Sequence, residues 1–349
     1  MPKLHLQLDI AWRIGRTPML WGPPGVGKTE RVRAWASLRK RRLFVVTLSQ
    51  LDAMDTRGLP APENGRTIHL RPNFLPDCSE GPCVLFLDEF TNASISVQRA
   101  VYELVLDRRI GDHLLPNDCI VICAGNRPED RAGLMALPDP LTNRLLHLDV
   151  RADPAEWIAW ADAKGIDPVV TDYITLYPGD LWSGSSGQSG VDSAFATPRS
   201  WEGVADLLRI NPARTIESGL EELILGSIGP IVGRRFLSFA RSGTRVADLE
   251  RIRLDPVEAP LPPSEESFRY LFAYLSAILQ RVLECENETE AAERIAAHDR
   301  TIDAIAHLVG RMGPDRGFLF ADMALKYSDR ARWNTLLKAA FRRLKGDSL

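Results

Sequence analysis

The chain has 349 residues, of which 45% are hydrophobic and 26% charged, with a formal net charge of -3 and a pI near 6.1. At about 100–200 residues per domain, this length holds two or three domains with ordinary globular cores. A protein whose main task is to coat nucleic acid is as a rule clearly basic, so the charge balance argues against that class.

The opening stretch, MPKLHLQLDIAWRIG, has no long apolar run and does not read as a signal peptide. No run of about 18 apolar residues occurs anywhere, so no membrane span is expected. Pro18 to Trp21 reads as a buried strand that ends at a glycine turn, and Lys28 to Lys40 as a helix. Leu43 to Leu48, Val84 to Leu87, Cys119 to Ala124 and Leu145 to Val150 are further strand candidates. Val97, Val101, Leu104 and Val105 place a helix over Ser96 to Leu106. Strands alternating with helices predict an α/β core over residues 1–150, a parallel sheet flanked by helices. Two segments interrupt it. Gly58 to Phe74 carries the turn pair Asn64-Gly65, and Arg109 to Pro116 carries Gly111-Asp112, so each reads as a hairpin insertion.

Beyond residue 150 the pattern turns helical, with an expected lid over 151–245 and a linker and C-terminal helical extension over 246–349. Trp182 to Ala194 contains SGSSGQSG and reads as a mobile loop. Thr197-Pro198 opens a helix, because threonine caps well and proline suits the first helical position. Residues 255–264 are proline-rich and read as a linker. Phe268 to Leu283, Ala291 to Val309 and Asp329 to Lys345 are expected amphipathic helices. The five cysteines, Cys78, Cys83, Cys119, Cys123 and Cys285, form neither a disulfide framework nor the paired spacing of a zinc site, and Cys119 and Cys123 read as core thiols. Reduced cysteines fit a cytoplasmic location.

Gly22-Pro23-Pro24-Gly25-Val26-Gly27-Lys28-Thr29 fits G-x-x-x-x-G-K-[ST] at every fixed position, between a strand and a helix. The glycines let successive backbone N–H groups turn toward phosphates, Lys28 reaches the β- and γ-phosphates, and the Thr29 hydroxyl is placed for Mg²⁺. The helix that follows aims its positive end at the same anion. Asp88-Glu89 closes a buried strand at the sheet edge where ligands bind. Asp88 suits the Mg²⁺ shell, and Glu89 suits orienting and deprotonating a water. Alone, the pair could equally cap the next helix; with the phosphate loop upstream it reads as ATP hydrolysis.

With Ala124-Gly125-Asn126, Asp139 to Arg144 (DPLTNR) and Thr197 to Trp201 (TPRSW) added, residues 15–240 resemble AAA+ ATPases, and more narrowly the MoxR branch that includes the CbbQ and NorQ activators. The two hairpins resemble the helix-2 and pre-sensor-1 insertions of that clade. The resemblance implies a sensor 1 role for Asn126, an arginine finger at Arg144 reaching a neighbouring subunit, and a sensor 2 role for Arg199 in the lid. Arg131 is a second candidate for a subunit-contact arginine. The resemblance further implies a homo-oligomeric, hexameric ring. That ring would remodel a client complex with a von Willebrand factor A domain partner, with His69, Arg71 and His113 near its pore. The segment after the acidic pair departs from the pattern: DEFTN stands where DEIN is usual, which moves the asparagine to Asn92. Adenine contacts are expected near Ile10 to Ile14 and in the lid. Three other readings stay open: a nucleic-acid motor such as a helicase loader or restriction-type translocase, a small-molecule P-loop kinase, and a scaffold that binds ATP without turnover.

Overall fold

The computed structural model describes residues 3–77, 81–127, 137, 139–184, 194–210, 218–280, 288–312 and 314–327. Arg131, Cys78, Cys285, most of the Trp182–Ala194 loop and the helix expected at Asp329 to Lys345 lie outside them. The chain divides into two compact units, 1–153 and 154–349.

In the first unit the elements run α1 (Lys3–Arg13), β1 (Pro18–Trp21), α2 (Lys28–Leu38), β2 (Arg42–Thr47), α3 (Ala53–Arg57), β3 (Pro60–Glu63) and β4 (Arg66–His69). They continue with β5 (Cys83–Asp88), α4 (Ile95–Asp107), β6 (Arg109–Ile110), β7 (His113–Leu114), β8 (Cys119–Gly125), α5 (Asp139–Thr142) and β9 (Leu146–Asp149). Five strands form one sheet in the order β2-β5-β8-β1-β9, and every neighbouring pair is parallel. This is the sheet that the apolar runs predict, with ends shifted by a residue or two.

The three inner strands, β5, β8 and β1, are buried on both faces, which explains why they are apolar without alternation, whereas the edge strand β9 alternates leucine with His147 and Asp149. Successive side chains point to opposite faces. Met19, Leu85, Leu87 and Val121 pack with Val97, Val101 and Leu104 of α4. Leu20, Val84, Phe86 and Ile122 pack with Leu4 and Leu8 of α1 and with Val32 and Trp35 of α2. Each such side chain contributes about 1.5–3 kcal/mol by leaving water.

Both hairpins form as small antiparallel pairs, β3 with β4 and β6 with β7. Asn64 and Gly65 sit at φ 50° and 71°, the positive values that a two-residue turn matched to strand twist requires.

The second unit is helical: α6 (Pro154–Lys164), α7 (Pro168–Leu176), α8 (Pro198–Arg209), α9 (Ser218–Ile228), α10 (Pro230–Ser242), α11 (Val246–Leu254), α12 (Glu265–Gln280), α13 (Glu288–Arg311) and α14 (Pro314–Tyr327). Tyr173 is fully buried at its centre, with ring centroids of Trp201, Phe236 and Phe239 at 5.4, 5.3 and 5.8 Å. Its hydroxyl donates to Asp180 at 2.5 Å, so the aromatic core carries no unpaired phenol there. No helix among the described residues is long and apolar enough to cross a membrane.

Candidate functional site

The phosphate loop leaves the carboxyl end of β1 and enters α2. Gly25 and Gly27 have φ of 77° and 91°, values open to glycine and strained for other residues. Gly22 is fixed by space: a Cβ there would lie 2.4 Å from the Val150 carbonyl oxygen. Lys28 is buried, and its ammonium donates to the Gly22 and Pro23 carbonyls at 2.5 and 3.2 Å and to Asn126 Oδ1 at 3.0 Å. Thr29 Oγ1 donates to Asp88 Oδ2 at 2.7 Å. A threonine hydroxyl and a carboxylate this close are the hard oxygen donors that Mg²⁺ takes. The residues present therefore fit Mg²⁺ and a nucleotide phosphate.

Glu89 is exposed and adopts φ 57°, an uncommon conformation for a residue with a side chain. Its own N–H donates to Asp88 Oδ1 at 2.9 Å, which holds the turn. Its carboxylate accepts a short hydrogen bond from Ser49 Oγ. Ser49 lies just past β2, whose last residue, Thr47, pairs in register with Asp88. Asn126 follows β8 directly, and its backbone N–H and C=O both bond to the Thr91 hydroxyl at 3.1 Å.

Among the sequence-predicted residues, the structure thus brings Gly22 to Thr29, Asp88, Glu89 and Asn126 to the carboxyl edge of the sheet. Arg144 does not join them. It is exposed and precedes β9, whose amino end pairs with Pro18, so it lies toward the opposite edge of the sheet from its own phosphate loop. Arg199 is exposed in the first turn of α8 in the second unit; Thr197 caps that helix through the Ser200 N–H at 3.1 Å, with Pro198 at its first position.

Sequence reasoning passed over Ser49 and Thr91. It noted the asparagine moved to Asn92, and here Asn92 Oδ1 is buried without a partner among the described residues, while Thr91 makes the contacts. It also passed over a lateral band at the ends of β8, β1 and β9. Trp21 Nε1 donates to His147 Nδ1 at 2.7 Å, His147 Nε2 faces the Thr142 carbonyl at 2.8 Å, and Arg127 lies over the Trp21 ring and pairs with Asp149. The hairpin residues turn toward each other. The His113 ring meets the His69 carbonyl at 2.9 Å, and Arg71 donates to the carbonyls of Pro76 and Leu114 at 2.6 and 3.4 Å. Among the described residues no group of three or more metal-ligating side chains gathers. Cys123 is a core thiol, pushed up in pKa by burial.

Residues 18–145 match the ATPase family associated with various cellular activities, AAA. Human ATPase family gene 2 protein homolog B is 34% identical over 136 residues, which are 37% of this chain and 17% of that protein. The chain therefore spans less than a fifth of the length of this relative. NtrX from Brucella abortus in complex with ADP is similar with a TM-score of 0.41 at 16% identity, over 87% of this chain and 69% of that one. The RuvB Holliday junction branch migration motor of Thermotoga maritima gives 0.33 at 18% identity, over 81% and 74%. The family match and the geometry of the phosphate loop agree: the first unit has the AAA+ P-loop ATPase fold, a five-stranded parallel sheet flanked by helices.

Proposed function

We propose that the chain is a Mg²⁺-dependent ATPase that works as a homo-oligomeric ring of the MoxR type and remodels a client protein. One observation carries the hydrolytic part of this reading. Lys28, Thr29, Asp88, Glu89 and Asn126, drawn from three strand ends, converge at one sheet edge and are linked by the Lys28–Asn126 and Thr29–Asp88 hydrogen bonds.

Bound ATP with Mg²⁺ supplies the transferable γ-phosphoryl group and its charge neutralisation. Lys28 and the loop N–H groups hold the phosphates, and Thr29 and Asp88 hold the cation. Glu89 accepts the proton of the attacking water as the bond to the ADP oxygen breaks, and Asn126 orients the reacting groups. The position of Arg144 away from its own loop supports a role at a neighbour's site, which is the support for a ring. The two hairpins support the MoxR reading; a von Willebrand factor A domain partner is the partner class that this reading brings with it. Glu89→Gln removes the base and keeps the shape. We expect nucleotide binding to persist while steady phosphate release falls at least about 10²-fold, the scale of a lost general base. Sustained turnover in that variant overturns the assignment.

A further inference from the structure

The β5–β8 ladder ends at Leu87 with Cys123, and the β1–β8 ladder at Trp21 with Gly125. Asn126 therefore lies past the last rung on both sides, yet it is only 7% exposed. Its backbone N–H and C=O need other partners, since buried main-chain groups are rarely left unpaired. Thr91 Oγ1 meets both at 3.1 Å, which a hydroxyl can do because it donates one hydrogen and accepts through its lone pairs. Thr91 is 4% exposed and sits two residues after Glu89 in the turn Phe90–Asn92. The fit is close on the other side too: a Cβ on Gly125 would lie 2.9 Å from Thr91 Oγ1.

We propose that Thr91 is a positioning residue for hydrolysis: its hydroxyl clamps the segment carrying Glu89 to the end of β8 carrying Asn126. The inference rests on the ATPase reading above and adds a residue to it. Without the clamp, the Asn126 amide and the Glu89 carboxylate lose their fixed spacing while the phosphate loop keeps its own. A misplacement of about 1 Å at such a site costs about 10²-fold in rate.

The test compares the full chain with Thr91→Val and Thr91→Ser. Turnover is followed with Mg-ATP, binding with a non-hydrolysable ATP analogue, and folding by thermal melting. Thr91→Val is expected to lower kcat by about 10–100-fold with analogue affinity within about threefold of the parent, and Thr91→Ser to restore kcat to within about threefold. Should Thr91→Val fail to fold, Thr91→Ala takes its place, removing the hydroxyl without adding bulk. A parent chain without turnover sinks the ATPase reading. An active parent sinks the Thr91 proposal in either of two ways: Thr91→Val keeps full kcat, or the serine variant falls as far as the valine one.

Discussion

At the scale of single residues, the site divides into groups that bind charge and groups that are held by others. Glu89 belongs to both. Its carboxylate is the proposed base, yet it already accepts a hydrogen bond from Ser49 Oγ. That bond holds the carboxylate turned toward the end of β2, and a hydrogen bond to a charged group is worth about 1.5–3 kcal/mol. Ser49→Ala releases it, so basal turnover is expected to rise, by up to about tenfold, as read in steady-state phosphate release. A fall would mean that Ser49 supports the active geometry. The phosphate loop and the acidic pair were legible in the sequence because their spacing is local: eight consecutive residues, then two at a strand end. Ser49 and Thr91 were not, because their meaning depends on β2 lying beside β5 and on β8 ending beside the Glu89 turn. No pattern within one segment carries that information.

At the scale of elements, the three inner strands were readable because burial on both faces leaves continuous apolar runs, and the hairpins because Asn64-Gly65 and Gly111-Asp112 mark turns. Missed was how α1 is fastened. It buries Leu4 and Leu8 against the sheet, but its polar anchor is Asp9, which accepts from Trp35 Nε1 of α2 at 3.0 Å and from Arg39 Nε, just past α2, at 2.9 Å. The Arg39 guanidinium, and after it the Trp35 N–H, outweigh partial burial and hold the Asp9 carboxyl below its ordinary value. The sign follows from linkage. A carboxyl depressed in the folded state adds stability that is complete above the unfolded value, about 4, and is lost as pH falls through the lower folded value. Asp9→Asn should therefore melt earlier than the parent at pH 7, with the gap closing in acid below about pH 4. A gap that stays constant across the titration would show that the ion pair contributes nothing.

At the scale of the whole molecule, the proposed ring predicts complementation. Arg144→Ala chains keep the phosphate loop and lack the finger, while Lys28→Ala chains keep the finger and lack a working loop. Each alone should be inactive, and mixing them should restore turnover that peaks at an intermediate ratio, as measured by phosphate release at fixed total protein. Additive inactivity at every ratio would remove Arg144 from any shared site. The division after Asp153 has a different consequence. The phosphate loop, Asp88, Glu89 and Asn126 all belong to the first unit, whose core is its own. Binding free energy at that loop is therefore added to the folding of one of two cores, about 2.7 kcal/mol at a hundredfold excess over Kd. Saturating nucleotide should therefore make the first unit more resistant to heat and protease than it is in the unloaded chain.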